Sequence, residues 1–188
     1  PLMEVLRLLL LYRPVNKHYA NSAGNPIPII VKRCLSKDPA LPRPLKLRAL
    51  FAATNAFAHP EGARGAVRTG GMGDMIEAAL EMLACQDAAV RMAAGAVLYN
   101  VSLQLPRHAS IEVVQVASGV AHRLPEEKDK HAGFRLLLAL GKLAWCNTEA
   151  VQLLQMLPLK IDMRALGGPH DPRFALAQEL RTMVPEVQ

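Results

Sequence analysis

Three eleven-residue segments resemble one another along this chain: LRALFAATNAF (47–57), VRMAAGAVLYN (90–100) and FRLLLALGKLA (134–144). Each is apolar on nearly every side, rich in small residues, and carries an arginine at its second place. A weaker copy, LRLLLLYR, occupies 6–13, so that Arg7, Arg48, Arg91 and Arg135 follow one another at intervals of 41, 43 and 44 residues. A recurrence of ~40–47 residues is the period of armadillo and HEAT arrays. A helix that is apolar all round has to be buried between other layers, and one such helix per period is what a stacked array supplies. The expectation is an all-α, armadillo/HEAT-like helical repeat array of about four to six repeats in a right-handed superhelix. Residues 1–188 are expected to form a single domain of it.

Composition agrees. Hydrophobic residues make up 51% of the chain but aromatics only 4%, a core of Ala, Leu, Val and Met that suits close-packed helices better than sheets. Punctuation then divides the sequence. The pattern predicts a helix over 2–13 stopped by Pro14, a polar loop from Asn16 to Pro28, a short helix over 29–35 and a longer one over 45–58. A Gly-rich loop follows, with Gly62, Gly65, Gly70, Gly71 and Gly73. Asp74 is expected to cap a helix over 75–85, with Glu77 completing a capping box. Asp87 should cap 88–104. Further helices are expected over 110–123, 127–145 and 148–157, the last capped by Asn147, and Asp171-Pro172 should open a final one.

In a stacked array, the innermost helix of each repeat touches neighbours on three sides and shows only a narrow strip on the concave face. Arg135 and Lys142 are the only charged residues of 134–146 and lie seven apart, hence on one face. Arg48 and Asn55 have the same spacing. Asn55 and Asn100 are 45 apart while Arg48 and Arg91 are 43 apart, and a two-residue slip turns a helix by roughly 200°. Arg91 is thus the rung out of phase. Arg7, Arg48, Arg135, Lys142, Asn55 and Asn100 are the candidate partner-binding residues. Arg135 could instead make a structural ion pair on a rim helix, and each Asn could satisfy the backbone of a neighbouring segment. For Tyr99 and Trp145 core packing is expected rather than a groove role.

Residues 1–70 hold eleven Lys/Arg against three Asp/Glu, whereas 71–188 hold eleven against thirteen. The first half is therefore expected to carry the basic surface and to favour an acidic partner. Fourteen of the 22 cations are Arg, the better residue for gripping carboxylates. Cys34, Cys85 and Cys146 are isolated thiols of odd number, which argues against a disulfide framework and for a reducing compartment. They read as small core residues. His108, His122 and His131 have no metal-ligand spacing with a Cys. No metal, no cofactor and no catalytic group is expected, because no nucleophile elbow, phosphate loop or carboxylate pair is present. No apolar run is long enough for a membrane span. The start of the sequence has no leader pattern, and the chain reads as a domain of a longer protein.

At FRLLLALGKLAWCNTEAVQL (134–153) the sequence resembles the PUL domain, the C-terminal armadillo-type module of the phospholipase-activating-protein family. The family pattern is an aromatic–Arg–Leu–x–x–Ala–Leu–Gly helix, a short polar turn and a helix beginning Ala-Val-Gln-Leu. Here these are Phe134, Arg135, Leu136, Ala139, Leu140 and Gly141, then Asn147, Ala150, Val151, Gln152 and Leu153. VLRLLLLYRPVNKHY (5–19), LRALFAATNAF and the Leu-Tyr-Asn-Val-Ser at 98–102 match in the same order, while 39–44 and 59–73 depart from the pattern. The resemblance implies binding of the acidic C-terminal tail of valosin-containing protein, the hexameric AAA ATPase of ubiquitin-dependent protein extraction. That tail contains a tyrosine. The resemblance places the family's groove arginines on Arg7 and Arg135, and the protein in the cytoplasm and nucleus. A nucleic-acid-binding array and a passive scaffold are the alternatives; only eight Phe, Tyr and Trp are available for the stacking that single strands need.

Overall fold

Caps and prolines decide where the helices begin. The computed structural model describes residues 2–22, 25–35, 41–68, 71–108, 110–157, 159–164, 166 and 168–185. Among these, the chain forms eleven α-helices, one 3-10 turn and no strand. It divides into two compact units, 1–104 and 105–188.

The first unit holds α1 (Leu2–Leu9), α2 (Arg13–Asn21), α3 (Pro26–Cys34), α4 (Arg43–Ala56), α5 (Pro60–Arg68), α6 (Met72–Met82) and α7 (Ala88–Ser102). Within it, α4 packs on α1 and on α7, α2 packs on α5, and α3 packs on α6. Each helix thus meets its counterpart three elements further on. The repeating unit is three helices, which is the armadillo arrangement. The middle of the α1–α4–α7 row is fully buried along one side: Ala49, Leu50, Ala52 and Ala53 of α4 meet a core shared with Val90, Ala94, Val97 and Leu98 of α7. Small side chains at these contacts let the helix axes approach closely.

Two stretches expected to be loops are helical. Pro14 starts α2 instead of only ending α1, because in the first turn a missing N–H is no loss. The polar segment after it therefore carries α2, and Asn25 caps α3 by accepting from Ile27 N. The Gly-rich stretch carries α5. A Cβ on Gly62 would lie 2.0 Å from the Ala56 carbonyl oxygen, and one on Gly65 would lie 2.7 Å from Ala20 Cβ. These glycines are there because α5 lies against its neighbours with no room for a side chain. Gly70 and the Asp38-Pro39 pair fall outside the described residues. Asp74 sits inside the first turn of α6 and caps nothing; its carboxylate accepts from Lys32 Nζ at 2.6 Å.

Polar contacts tie one repeat to the next. Arg13 pairs with Glu61 at 2.6 Å, Lys32 with Asp74, and Arg43 with Asp87. The buried Asn16 amide donates to the carbonyls of Leu10, Asn55 and Ala56. Arg68 donates to the Ala20 carbonyl at 2.8 Å. Apart from the Asn16–Leu10 bond, each partner is 39 to 48 residues away, about one repeat. Two cations of the basic first half, Lys32 and Arg43, are thus matched by carboxylates of the repeat that follows.

The second unit holds α8 (Ile111–Arg123), a 3-10 turn (Leu124–Glu126), α9 (Lys130–Cys146), α10 (Thr148–Met156) and α11 (Pro172–Met183). Its centre is α9, which packs on α8, α10 and α11 and buries Leu136, Leu137, Leu140 and Leu143. Asp129 and Asn147 cap α9 and α10 through their side chains. The Asn147 amide also donates to the carbonyls of Pro106 and His108, anchoring the segment before α8. Asp171 caps α11 by accepting from Arg173 N. No helix among the described residues is long and apolar enough to cross a membrane.

Candidate functional site

In the first unit, the candidate residues fall on the α1–α4–α7 row. Arg7 leaves α1 with its guanidinium 5.8 Å from the Phe51 ring centroid on α4. Glu4, one turn earlier, accepts two hydrogen bonds from Arg7, the Nε–Oε2 bond at 3.2 Å. Arg48 Nε reaches the same carboxylate at 3.5 Å. Glu4 is thus bracketed by two guanidiniums, and the hydrogen bond from Arg7 holds its carboxyl below the usual range. The same bond pushes Arg7 upward. Arg48 is 41% exposed and Arg7 27%.

The two asparagines bind backbone. Asn55 Nδ2 donates to the Arg7 carbonyl at 2.8 Å, and Asn100 Nδ2 donates to the Thr54 carbonyl at 3.3 Å. Asn55 therefore fixes the C-terminal turn of α1, the turn that carries Arg7, onto α4. Asn100 ties α7 to the end of α4. Arg91 binds the carbonyls of Cys85 and Gln86 at 2.9 and 2.7 Å, so the rung that is out of phase holds the turn between α6 and α7.

In the second unit, α9 is a 17-residue helix with no Asp or Glu. Arg135 is half-buried, with its guanidinium 5.9 Å from the Phe134 ring centroid, and no carboxylate pairs with it among the described residues. Lys142 lies two turns on, its Nζ donating to Cys146 Sγ at 3.0 Å. Trp145 departs from expectation: it is 78% exposed. Trp145 lies on the helix line of Leu138 and Gly141, beside that of Arg135 and Lys142, a signal already in the sequence but outweighed by the general tendency of large aromatics to fill cores. The three thiols are half-buried, and burial pushes Cys34 up. Among the described residues, no cluster of His, Cys, Asp and Glu is placed to hold a metal ion.

The sequence model of the family described as PUL domain matches residues 1–178. The chain belongs to the PUL domain family. PUL domains are protein-interaction modules. Two crystal structures, each described as an engineered protein of the Northeast Structural Genomics Consortium, share its fold. One has a TM-score of 0.60 at 19% identity over 99% of this chain and 48% of its own. The other has a TM-score of 0.58 at 18% identity over 98% of this chain and 78% of its own. The PUL domain thus spans about half the length of the first. No curated protein matches the chain at a significant level.

Proposed function

We propose that this PUL domain is an adaptor that binds the acidic C-terminal tail of valosin-containing protein, linking that ATPase to ubiquitin-dependent protein processing. In this reading residues 1–188 serve as one binding module. The observation that carries it is Arg135: a half-buried guanidinium on an acid-free helix, with no carboxylate of its own among the described residues. A cation in that setting is under-compensated and gains most from an incoming carboxylate. Membership of a protein-interaction family supports the same conclusion. Lys142 adds charge on the same helix, while Arg7 and Arg48 form a second cationic pair whose present counter-ion is Glu4. Asn55 and Asn100 contribute by holding the α1–α4–α7 row in place.

The two anchors are not equivalent. A ligand carboxylate meets Arg135 directly, but at Arg7 it competes with Glu4. Titration with a labelled peptide copying the last ten or so residues of the ATPase is therefore expected to lose about tenfold or more in affinity for Arg135→Ala, the scale of one charge-assisted hydrogen bond. The loss for Arg7→Ala should be smaller, with helicity intact in both. Raising salt should weaken binding, since exposed charges are screened within ~10 Å at 0.1 M. Absence of binding by the wild-type chain at low salt would exclude this tail as its partner.

A further inference from the structure

The α2–α5 pair carries a second basic surface, made of residues other than those of the α1–α4–α7 row. Its two helices run side by side in the same direction, with Arg13 meeting Glu61 at one end and Arg68 meeting the Ala20 carbonyl at the other. Between these points the seam is shut. A Cβ on Gly62 would lie 2.3 Å from Asn16 Oδ1, and one on Gly65 would lie 2.7 Å from Ala20 Cβ. No crevice is left between the helices, so they present a closed face built from their outward side chains.

That face is basic. Arg13 and Lys17 stand one turn apart on α2, and Arg64 and Arg68 one turn apart on α5. All four are exposed. Glu61 is the only acid of either helix. The hydrogen bond from Arg13 holds its carboxyl down at about 2, and the charge of Arg64 acts on the same group. Arg68 bonds the Ala20 carbonyl and the Asn21 side-chain oxygen, neither of which is charged. No carboxylate pairs with Lys17 among the described residues, so four cations share one acid. Apolar side chains stand among them: Val67, between Arg64 and Arg68, is 51% exposed, and Tyr12, immediately before Arg13, is 64% exposed.

We infer that the α2–α5 face docks on an anionic phospholipid surface, with Arg13, Lys17, Arg64 and Arg68 among the headgroups and Tyr12 and Val67 at the boundary with the acyl chains. The surplus of charge selects an anionic partner. The closed seam offers no slot to an extended peptide, and a broad face of this kind fits a planar partner. Valine and tyrosine side chains beside the cations gain from an interface that is polar outside and apolar beneath. Along a phosphate backbone they would gain nothing. Each basic residue held near such a surface contributes about fivefold in partitioning. The inference is independent of tail binding, since none of these residues is used there.

Co-sedimentation with vesicles tests it, using phosphatidylcholine alone and phosphatidylcholine with about 30% phosphatidylserine, alongside a duplex RNA as a competing polyanion. At low salt the chain is expected to partition about tenfold or more in favour of the phosphatidylserine vesicles, and to lose that preference as salt rises. The double variant Lys17→Glu, Arg64→Glu should keep its helicity, because neither side chain holds a partner helix, and should abolish the preference. Tyr12→Ser and Val67→Ser leave the charge unchanged and should each weaken vesicle binding several-fold. If the chain ignores phosphatidylserine vesicles at low salt, or if the double variant binds them like wild type, the inference is overturned. Binding to the RNA in place of the vesicles, lost in the double variant and untouched by Tyr12→Ser and Val67→Ser, would overturn it in favour of a nucleic acid.

Discussion

Arg173 and Arg135 belong to helices that pack together, yet they have opposite surroundings. Arg173 is 6% exposed and bonded to Asp171 through both Nε and Nη2, whereas Arg135 faces no carboxylate among the described residues. The first arrangement locks the start of α11. The Arg173 guanidinium holds the Asp171 carboxyl down at about 2. A carboxyl depressed in the folded state favours folding above its ordinary range and loses that contribution as pH falls through the folded value. The stability gap between wild type and Asp171→Asn is accordingly expected to be constant from pH 7 to pH 5 and to close between about pH 4 and pH 2. Denaturant midpoints measured across that range check this; a gap independent of pH would mean the pair contributes only packing. At this scale the sequence was partly legible. Arg135 stood out because its helix is otherwise apolar. The pairing of Glu4 with Arg7 and Arg48 did not, since only the packing of α1 on α4 brings Arg48 to that carboxylate.

Among elements, α5 shows what local rules miss. Its glycines signal a loop, and by propensity each costs roughly 0.5–1 kcal/mol against alanine in a helix. The helix forms because α2 offers a surface that only a bare backbone can approach. Such a cause is tertiary and has no local signature. By contrast, the caps at Asp87, Asn147 and Asp171 act through their own neighbours, and all three were readable. The same substitution should therefore have opposite signs at two sites. Gly65→Ala pushes a methyl to within 2.8 Å of the Ala20 backbone and should cost about 1–3 kcal/mol. Gly73→Ala, in the first turn of α6 with nothing within 4 Å of the new Cβ, should gain about 0.5–1 kcal/mol. Thermal midpoints moving the same way for both would refute the packing explanation of α5.

Across the whole molecule, the recurrence about every 41 to 44 residues of a helix apolar on nearly every side was the part of the fold most easily read, because each repeat of an array buries one such helix; the arginines keep that phase only in part, since Arg91 turns to the carbonyls of Cys85 and Gln86. Within the first unit, the connections across helices follow that period too: nearly all the polar bonds between repeats join residues 39 to 48 apart. No long chord closes the unit from end to end among these bonds, so each repeat is held by its neighbours alone. Pulled by its ends, such a chain should not rupture in one event. It should come apart as a zip does, releasing about 45 residues at a time, roughly 15 nm of extended chain per step.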